Sequence, residues 1–241
     1  MKTKLLTTAA VLAFSLSTGA QASLVARSGG MVYDTVNNIT WASDANLFQT
    51  QAASNANLVS EIITANGGVI HDTPNYFDNG TYTLTTADFN TTTGVMTWWG
   101  AQAWANNLTL GGVTGWSLPS TPVEVYGYNV TSSPMGDLFY NQLGGAAWTD
   151  IATTHNANYN LFTNVQSYVY WSGSEYAPNP YHAWRFDTVS GYQDFNVKVS
   201  QYYAWAVRPG DVAAVPVPGA FWLFGSGLIA LTGLKRRGSI G

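Results

Sequence analysis

Tyr203-Ala-Trp-Ala-Val-Arg208 sets a large apolar residue at every second position, and Pro209-Gly210 ends the run. That two-residue period places Tyr203, Trp205 and Val207 on one face of a β-strand. Working back, Ala183-Trp-Arg-Phe-Asp187 alternates in the same way, Val189-Ser-Gly191 turns the chain, and Tyr192 and Phe195 lead onward. The C-terminal third therefore reads as strands. Further upstream the period changes. Trp98, Ala101, Ala105 and Leu108 follow each other at three, four and three residues, one face of a helix. Thr97 is placed to cap its start and Gly111-Gly112 to stop it.

The remaining elements are shorter. Met31-Val-Tyr-Asp34, a turn near Asn37-Asn38 and Ile39-Thr-Trp-Ala42 predict an opening hairpin. Asp44 is expected to cap a short helix through Leu47 and Phe48. Leu58-Val59 with Ile62-Ile63 forms an apolar stripe that Asn66-Gly67-Gly68 brings to an end. Residues 69–93 read as a polar loop with room for one strand. Gly115-Trp-Ser-Leu-Pro119 is extended, and residues 120–165 are irregular with one helix around 136–143.

Both ends of the chain carry a different signal. Lys2 and Lys4 precede an apolar run, Leu5 to Leu16, that leads to Ala20-Gln21-Ala22. Positive start, short apolar run and A-x-A exit describe a secretory signal peptide cut between Ala22 and Ser23. The run is too short for the ~20 apolar residues that span a bilayer. At the other end, Val215-Pro216-Val217-Pro218-Gly219-Ala220 precedes 14 uncharged residues, Phe221–Leu234, and then Lys235-Arg236-Arg237. The apolar segment is about 21 Å long as a helix, and with Val215–Ala220 it suffices for a thin or tilted span. The basic cluster would stay cytoplasmic and act as the membrane stop, leaving the domain outside. The expected organisation is a signal peptide at 1–22, a domain at 23–212 and a tail at 213–241. Read from its residues alone, the tail is a plain C-terminal membrane anchor.

Between these ends lies one ordinary domain. It holds all 13 Asp and Glu of the chain but, of the nine Lys and Arg, only Arg27, Arg185, Lys198 and Arg208, a net charge of −9. Such a domain repels phosphate backbones, which excludes nucleic acid as a partner. The chain has no cysteine, which excludes disulfides, thiolate zinc sites and cysteine nucleophiles. Its core must stand on aromatic residues, 14% of the sequence.

The order V-P-V-P-G-A, W-L-F-G-S-G-L, K-R-R resembles the PEP-CTERM sorting signal in its V-P-x-P-A-like variant. The resemblance implies processing by an exosortase, a membrane transpeptidase-like enzyme. It also implies an inner-membrane intermediate, then a place on the surface or in the exopolysaccharide matrix of a Gram-negative bacterium. A second resemblance lies in the domain. Val32-Tyr-Asp34 with Thr40-Trp41, Ala101-Gln-Ala-Trp-Ala-Asn-Asn-Leu108, Gly115-Trp-Ser-Leu-Pro119, Tyr170-Trp-Ser172 and Tyr203-Ala-Trp-Ala-Val-Arg208 are, in order, similar to the Lcl C-terminal domain family. That resemblance implies an α+β, C-type lectin-like fold, with a few helices beside small twisted antiparallel sheets, and binding or adhesion more than catalysis. Two departures stand out: Ser117 replaces the usual arginine, and Ser120-Thr-Pro-Val-Glu124 is a poor helix start. Relatives with the same tail often carry an acidic loop before the helix, suited to calcium. Here Thr93 and Gly100 replace two of its acidic residues. Asp88 and Asn90 alone fall short of the 6–8 oxygen ligands calcium takes, so no metal is assigned at residues 88–100; calcium elsewhere in this acidic domain stays open, and no other cofactor is assigned.

The search for catalytic groups yields little. His71, His155 and His182 are isolated in sequence and read as surface loop residues. Asp187 and Asp194 are expected near each other across the turn at Ser190-Gly191, the paired carboxylates of a glycosidase, although hairpin tips often carry such residues. Glu175 is expected to serve as a hydrogen-bonding residue. Trp41, Trp104, Trp116, Trp171, Trp184 and Trp205 occupy motif or alternation positions and are assigned to the core. In the adjacent pairs Trp98-Trp99 and Tyr202-Tyr203 one ring should point inward, which leaves Trp99 and Tyr202 as outward rings for stacking on a sugar. Tyr176, Tyr181 and Tyr192 could extend that surface, and Tyr176 completes the set of candidate binding residues. No residue is assigned a catalytic role. The sequence thus predicts a non-catalytic binding module for polysaccharide; a secreted sugar-active enzyme and a purely structural matrix protein are the alternatives.

Overall fold

The computed structural model describes residues 23–212. The leader up to Ala20 and Ala22, the motif Val215–Ala220 and the cluster Lys235–Arg237 lie outside the described residues. Within them the chain is a mixed α+β structure of nine short strands and four α-helices. No helix among the described residues is long and apolar enough to cross a membrane.

The opening hairpin forms as its sequence predicts, β2 (Met31–Asp34) against β3 (Ile39–Ala42). Asn38 takes the left-handed conformation that the turn requires. Asp34, buried, accepts the N–H groups of Val36 and Asn37 at 2.9 and 3.0 Å and so fixes the bend. An additional strand, β1 (Leu24–Arg27), pairs with β2, and β9 (Val207–Pro209) pairs with β3 from the far end of the chain. The order β1-β2-β3-β9 therefore closes the domain by bringing its two ends into one antiparallel sheet. Arg27 and Asp211 add an ion pair at 2.7 Å beside it.

Helices α1 (Leu47–Ser54) and α2 (Leu58–Ala65) follow. Asp44 does not cap α1 directly, because the helix starts after Asn46. Its carboxylate instead accepts the Asn46 N–H and the Thr50 hydroxyl, at 2.9 and 2.6 Å. The segment read as a loop holds a small hairpin, β4 (Val69–His71) with β5 (Thr81–Thr83). The central helix α3 (Trp98–Asn106) is buried on nearly all sides, not on one face. After α4 (Pro134–Asp137), a π-helical turn, Leu138–Gln142, continues the chain toward the last sheet. That sheet is β6 (Val169–Glu175), β7 (His182–Asp187) and β8 (Tyr192–Val197), in that order.

Of Tyr203–Arg208, expected as one strand, only Val207 and Arg208 join one, in β9, and residues 202–206 instead run through the middle of the molecule. Met96 and Tyr202 exchange backbone hydrogen bonds at 2.8 and 2.9 Å, and the Tyr203 carbonyl accepts the Trp171 N–H at 2.9 Å. With protein on both sides, Tyr202, Ala204, Trp205 and Ala206 are all buried. The six tryptophans assigned to the core are buried too. Buried indole N–H groups usually find an acceptor; that of Trp184 has none, but several others join distant segments. Trp98 donates to the Ser172 carbonyl, Trp171 to that of Met96 and Trp205 to that of Ala42, at 2.8, 3.0 and 2.7 Å. In a cysteine-free chain this network does part of what disulfides do elsewhere.

Candidate functional site

Two of the three candidate binding rings are not on the surface. Trp99 is only 2% exposed. The β4–β5 hairpin covers it, with the Tyr82 ring stacked on it at 3.7 Å, and its Nε1 donates to Asp72 at 2.8 Å. Tyr202 is 9% exposed. It packs on Trp171, its hydroxyl accepts a hydrogen bond from Asn196, and the Arg185 guanidinium lies over its ring. The expected assignment of inward and outward rings is therefore corrected. The rule that adjacent residues face opposite ways presumes one covered side, and both segments are covered on two.

Tyr176 does reach a groove. It stacks on Phe195 with ring centroids 3.7 Å apart and planes within 9°. Tyr126, Tyr192 and Asp194 complete the lining of a space of ≈ 380 Å³, within the usual size range of small-ligand sites. Backbone pairing explains the assembly. Gly127 exchanges two hydrogen bonds with Gln193 of β8, at 2.9 and 3.0 Å, so the loop acts as a further strand on the sheet edge. The neighbours of a paired residue point to one face, which sets Tyr126 and Tyr128 beside Asp194 and Tyr192. Buried Gln193 locks the loop by donating to the Val125 carbonyl at 2.7 Å.

The aromatic surface extends beyond the groove at both ends. On one side Tyr192 meets Tyr128 at 4.6 Å, and Tyr128 meets Trp148 at 3.8 Å. On the other, Phe195 leads through His182 and Tyr181 to Phe77 and Tyr76. Trp148 is 73% exposed and Tyr126 65%. Trp148 also takes a positive φ of 68°, a conformation costly for a bulky side chain, and its N–H is held by the Ser190 carbonyl at 2.8 Å. The fold thus keeps a strained, exposed indole in place.

The groove's single carboxylate is Asp194. On β7 and β8 it stands opposite Arg185, while Asp187 stands opposite Tyr192. Asp187 and Asp194 do lie near each other, close enough for Asp187 to help burial raise the Asp194 carboxyl, but Asp187 does not line the groove. Asp187 is engaged in the turn, accepting the Val189 N–H and the Ser190 hydroxyl at 2.8 and 2.9 Å. Arg185 Nη2 donates to Asp194 Oδ2 at 2.8 Å; Nε lies 2.8 Å from Oδ1 but is not aligned for a hydrogen bond, which leaves Oδ1 without a donor. Burial pushes the Asp194 carboxyl up to about 6, outweighing the opposite pull of Arg185.

The other sequence candidates fall elsewhere. Asp88 is buried, and its oxygens accept from Tyr82, Thr97 and Thr85. Asn90 Oδ1 accepts the N–H groups of Thr92 and Thr93. Donors thus occupy the oxygens that a cation would need. Gly100, standing where an acidic residue was sought, has a steric cause: a Cβ there would sit 2.6 Å from the Asp88 carbonyl oxygen. Among the described residues no cluster of three metal-ligating side chains occurs. Two histidines are not loop residues: His71 is in β4 and His182 in β7, whereas His155 is exposed and stacks on Tyr159. Glu175 accepts hydrogen bonds from the Thr73 N–H and from Lys198. Sequence reasoning missed Tyr126, Tyr128 and Trp148, since nothing periodic surrounds them.

The fold and the groove define a small α+β domain with an exposed aromatic groove on one sheet. No family model, curated protein or solved structure matches the chain.

Proposed function

We propose that the domain is a non-catalytic binding module for polysaccharide, displayed outside the cell, and that its closed α+β arrangement is lectin-like. The observation that carries this reading is the groove of Tyr126, Tyr176, Tyr192 and Phe195 around Asp194, continued by exposed Trp148. Flat aromatic faces suit the apolar faces of pyranose rings, and a carboxylate among the lining residues, Asp194, suits a sugar hydroxyl. A row of rings longer than one pocket suits a chain of sugars rather than a single one. Hydrolysis finds less support. Two carboxylates must flank the scissile bond, whereas this groove holds one, already paired with Arg185.

Export belongs to the same proposal. A leader cleaved before Ser23 and a tail from Val215 to Arg237 read by an exosortase would place the domain at the surface or in the exopolysaccharide matrix. The excess of acidic residues fits that environment. The test is retention of the full-length protein, held in detergent, on native exopolysaccharide and on a glycan panel. Wild type should bind. Tyr192→Ala and Trp148→Ala should each weaken binding about 5- to 30-fold, the loss of about 1–2 kcal/mol per stacked ring. Equal retention of all three proteins, or none by wild type, refutes the reading.

A further inference from the structure

Lys198 is fully buried, 0% exposed. Its Nζ lies 2.6 Å from Asp72 Oδ2 and 3.2 Å from Glu175 Oε1. The ring of Trp98 is 4.6 Å from the nitrogen and that of Trp99 5.8 Å. Asp72 is as enclosed as the lysine, with its side chain 1% exposed. Each member is held by its backbone or a backbone neighbour. The Lys198 N–H donates to the Tyr181 carbonyl, the Asp72 N–H to that of Gly80, and the Thr73 N–H to Glu175 Oε1, at 3.1, 3.1 and 3.0 Å. Three segments far apart in sequence thus converge on one dry, aromatic-walled point.

As a plain ion pair the cluster is poorly satisfied. One cation faces two carboxylates, and Asp72 Oδ1 is buried with no hydrogen-bond partner. Charges taken out of water without full partnering are costly. The geometry points to a covalent outcome: Lys198 and Asp72 condense into an intramolecular isopeptide bond, with Glu175 as the proton carrier. A proton passes from the Lys198 ammonium by way of Glu175 to Asp72 Oδ1, leaving a neutral amine beside a carboxylic acid. The Nζ lone pair attacks Asp72 Cγ, forming the C–N bond. Asp72 Oδ2, which holds the Trp99 N–H at 2.8 Å, carries the developing negative charge and remains as the amide oxygen. Oδ1, which nothing holds, departs. Its C–O bond breaks, and it leaves as water with the acid proton and a second proton taken from the nitrogen by Glu175. The products are one amide and one water, with no change of oxidation state and no co-reactant. Fixed reactants at contact distance replace the activation that an amide otherwise needs.

The bond would join residues 126 positions apart, a covalent tie across most of the domain in a chain that has no cysteine. It would link the loop after β4 to the segment after β8 and fix the cover over Trp99.

Peptide mapping of the purified full-length protein by mass spectrometry tests this directly. The expected result is one branched chymotryptic peptide that joins the segments containing Asp72 and Lys198 and is lighter than their sum by one water, about 18 Da. Lys198→Arg should abolish it, and Glu175→Gln should slow its appearance at least tenfold in freshly made protein. Separate, unmodified peptides covering Asp72 and Lys198 from folded wild type would overturn the assignment, whether or not either variant folds. A branched peptide formed at the wild-type rate in Glu175→Gln would overturn the role of Glu175.

Discussion

Replacing Asp88 with Asn should destabilise the domain by about 3 kcal/mol. Asp88 Oδ1 accepts the Tyr82 and Thr97 hydroxyls, both at 2.8 Å, and Oδ2 accepts the Thr85 N–H at 2.7 Å. An amide keeps one acceptor oxygen and turns the other position into a donor. The hydroxyls can rotate, but a backbone N–H facing an NH₂ cannot, and an unsatisfied buried donor costs about 1–3 kcal/mol. The bonds that remain lose charge assistance, about 1 kcal/mol each, partly offset because a buried charge is removed. Thr97 also caps α3 by accepting the Gly100 N–H, so the change reaches the start of the central helix. The assay is urea unfolding followed by tryptophan fluorescence, and the same loss lowers Tm by about 6–12 °C. A loss below about 1 kcal/mol refutes the reasoning. So does a wild-type midpoint that rises with calcium and no longer does so in Asp88→Asn, because that outcome makes Asp88 a metal ligand.

Other consequences are equally direct. Gly100→Ala, favourable in most helix interiors by about 0.5–1 kcal/mol, should instead destabilise, because the new Cβ meets the Asp88 carbonyl at 2.6 Å; a raised Tm would contradict that packing. Trp148→Asn should leave stability within about 1 kcal/mol of wild type, since Asn tolerates a positive φ and the indole is largely exposed, yet it should weaken polysaccharide retention as Trp148→Ala does. Asp194 binds its proton more tightly folded than unfolded, its carboxyl standing at about 6 against an ordinary 3.8. Its contribution to stability is therefore greatest below the unfolded value and fades as pH rises through about 6. Denaturation midpoints from pH 4 to 7 should show that loss in wild type and less of it in Asp194→Asn, whereas sugar binding that needs the ionised carboxylate should strengthen over the same range. A wild type and variant with identical pH profiles would count against the assignment.

Local rules were enough where turn residues and a helix cap decide the outcome. The hairpin Met31–Ala42 formed with the predicted strands because its turn residues and its alternation agree, and Thr97 capped α3 because a side-chain acceptor three residues ahead of Gly100 can do so unaided. Composition by itself fixed an acidic domain without cysteine and an aromatic core. Which rings stay on the surface was decided in three dimensions. Trp99 and Tyr202 occupy segments covered on both sides, so an alternation rule had no outside to point to. Tyr126 and Tyr128 became part of a site only because Gly127 pairs with Gln193, a contact between residues 66 positions apart that no local period records. Lys198 reads in sequence as one of four scattered basic residues in the domain; burial against Asp72 and Glu175 gives it chemistry, because only the folded chain removes the water that would otherwise keep those charges apart.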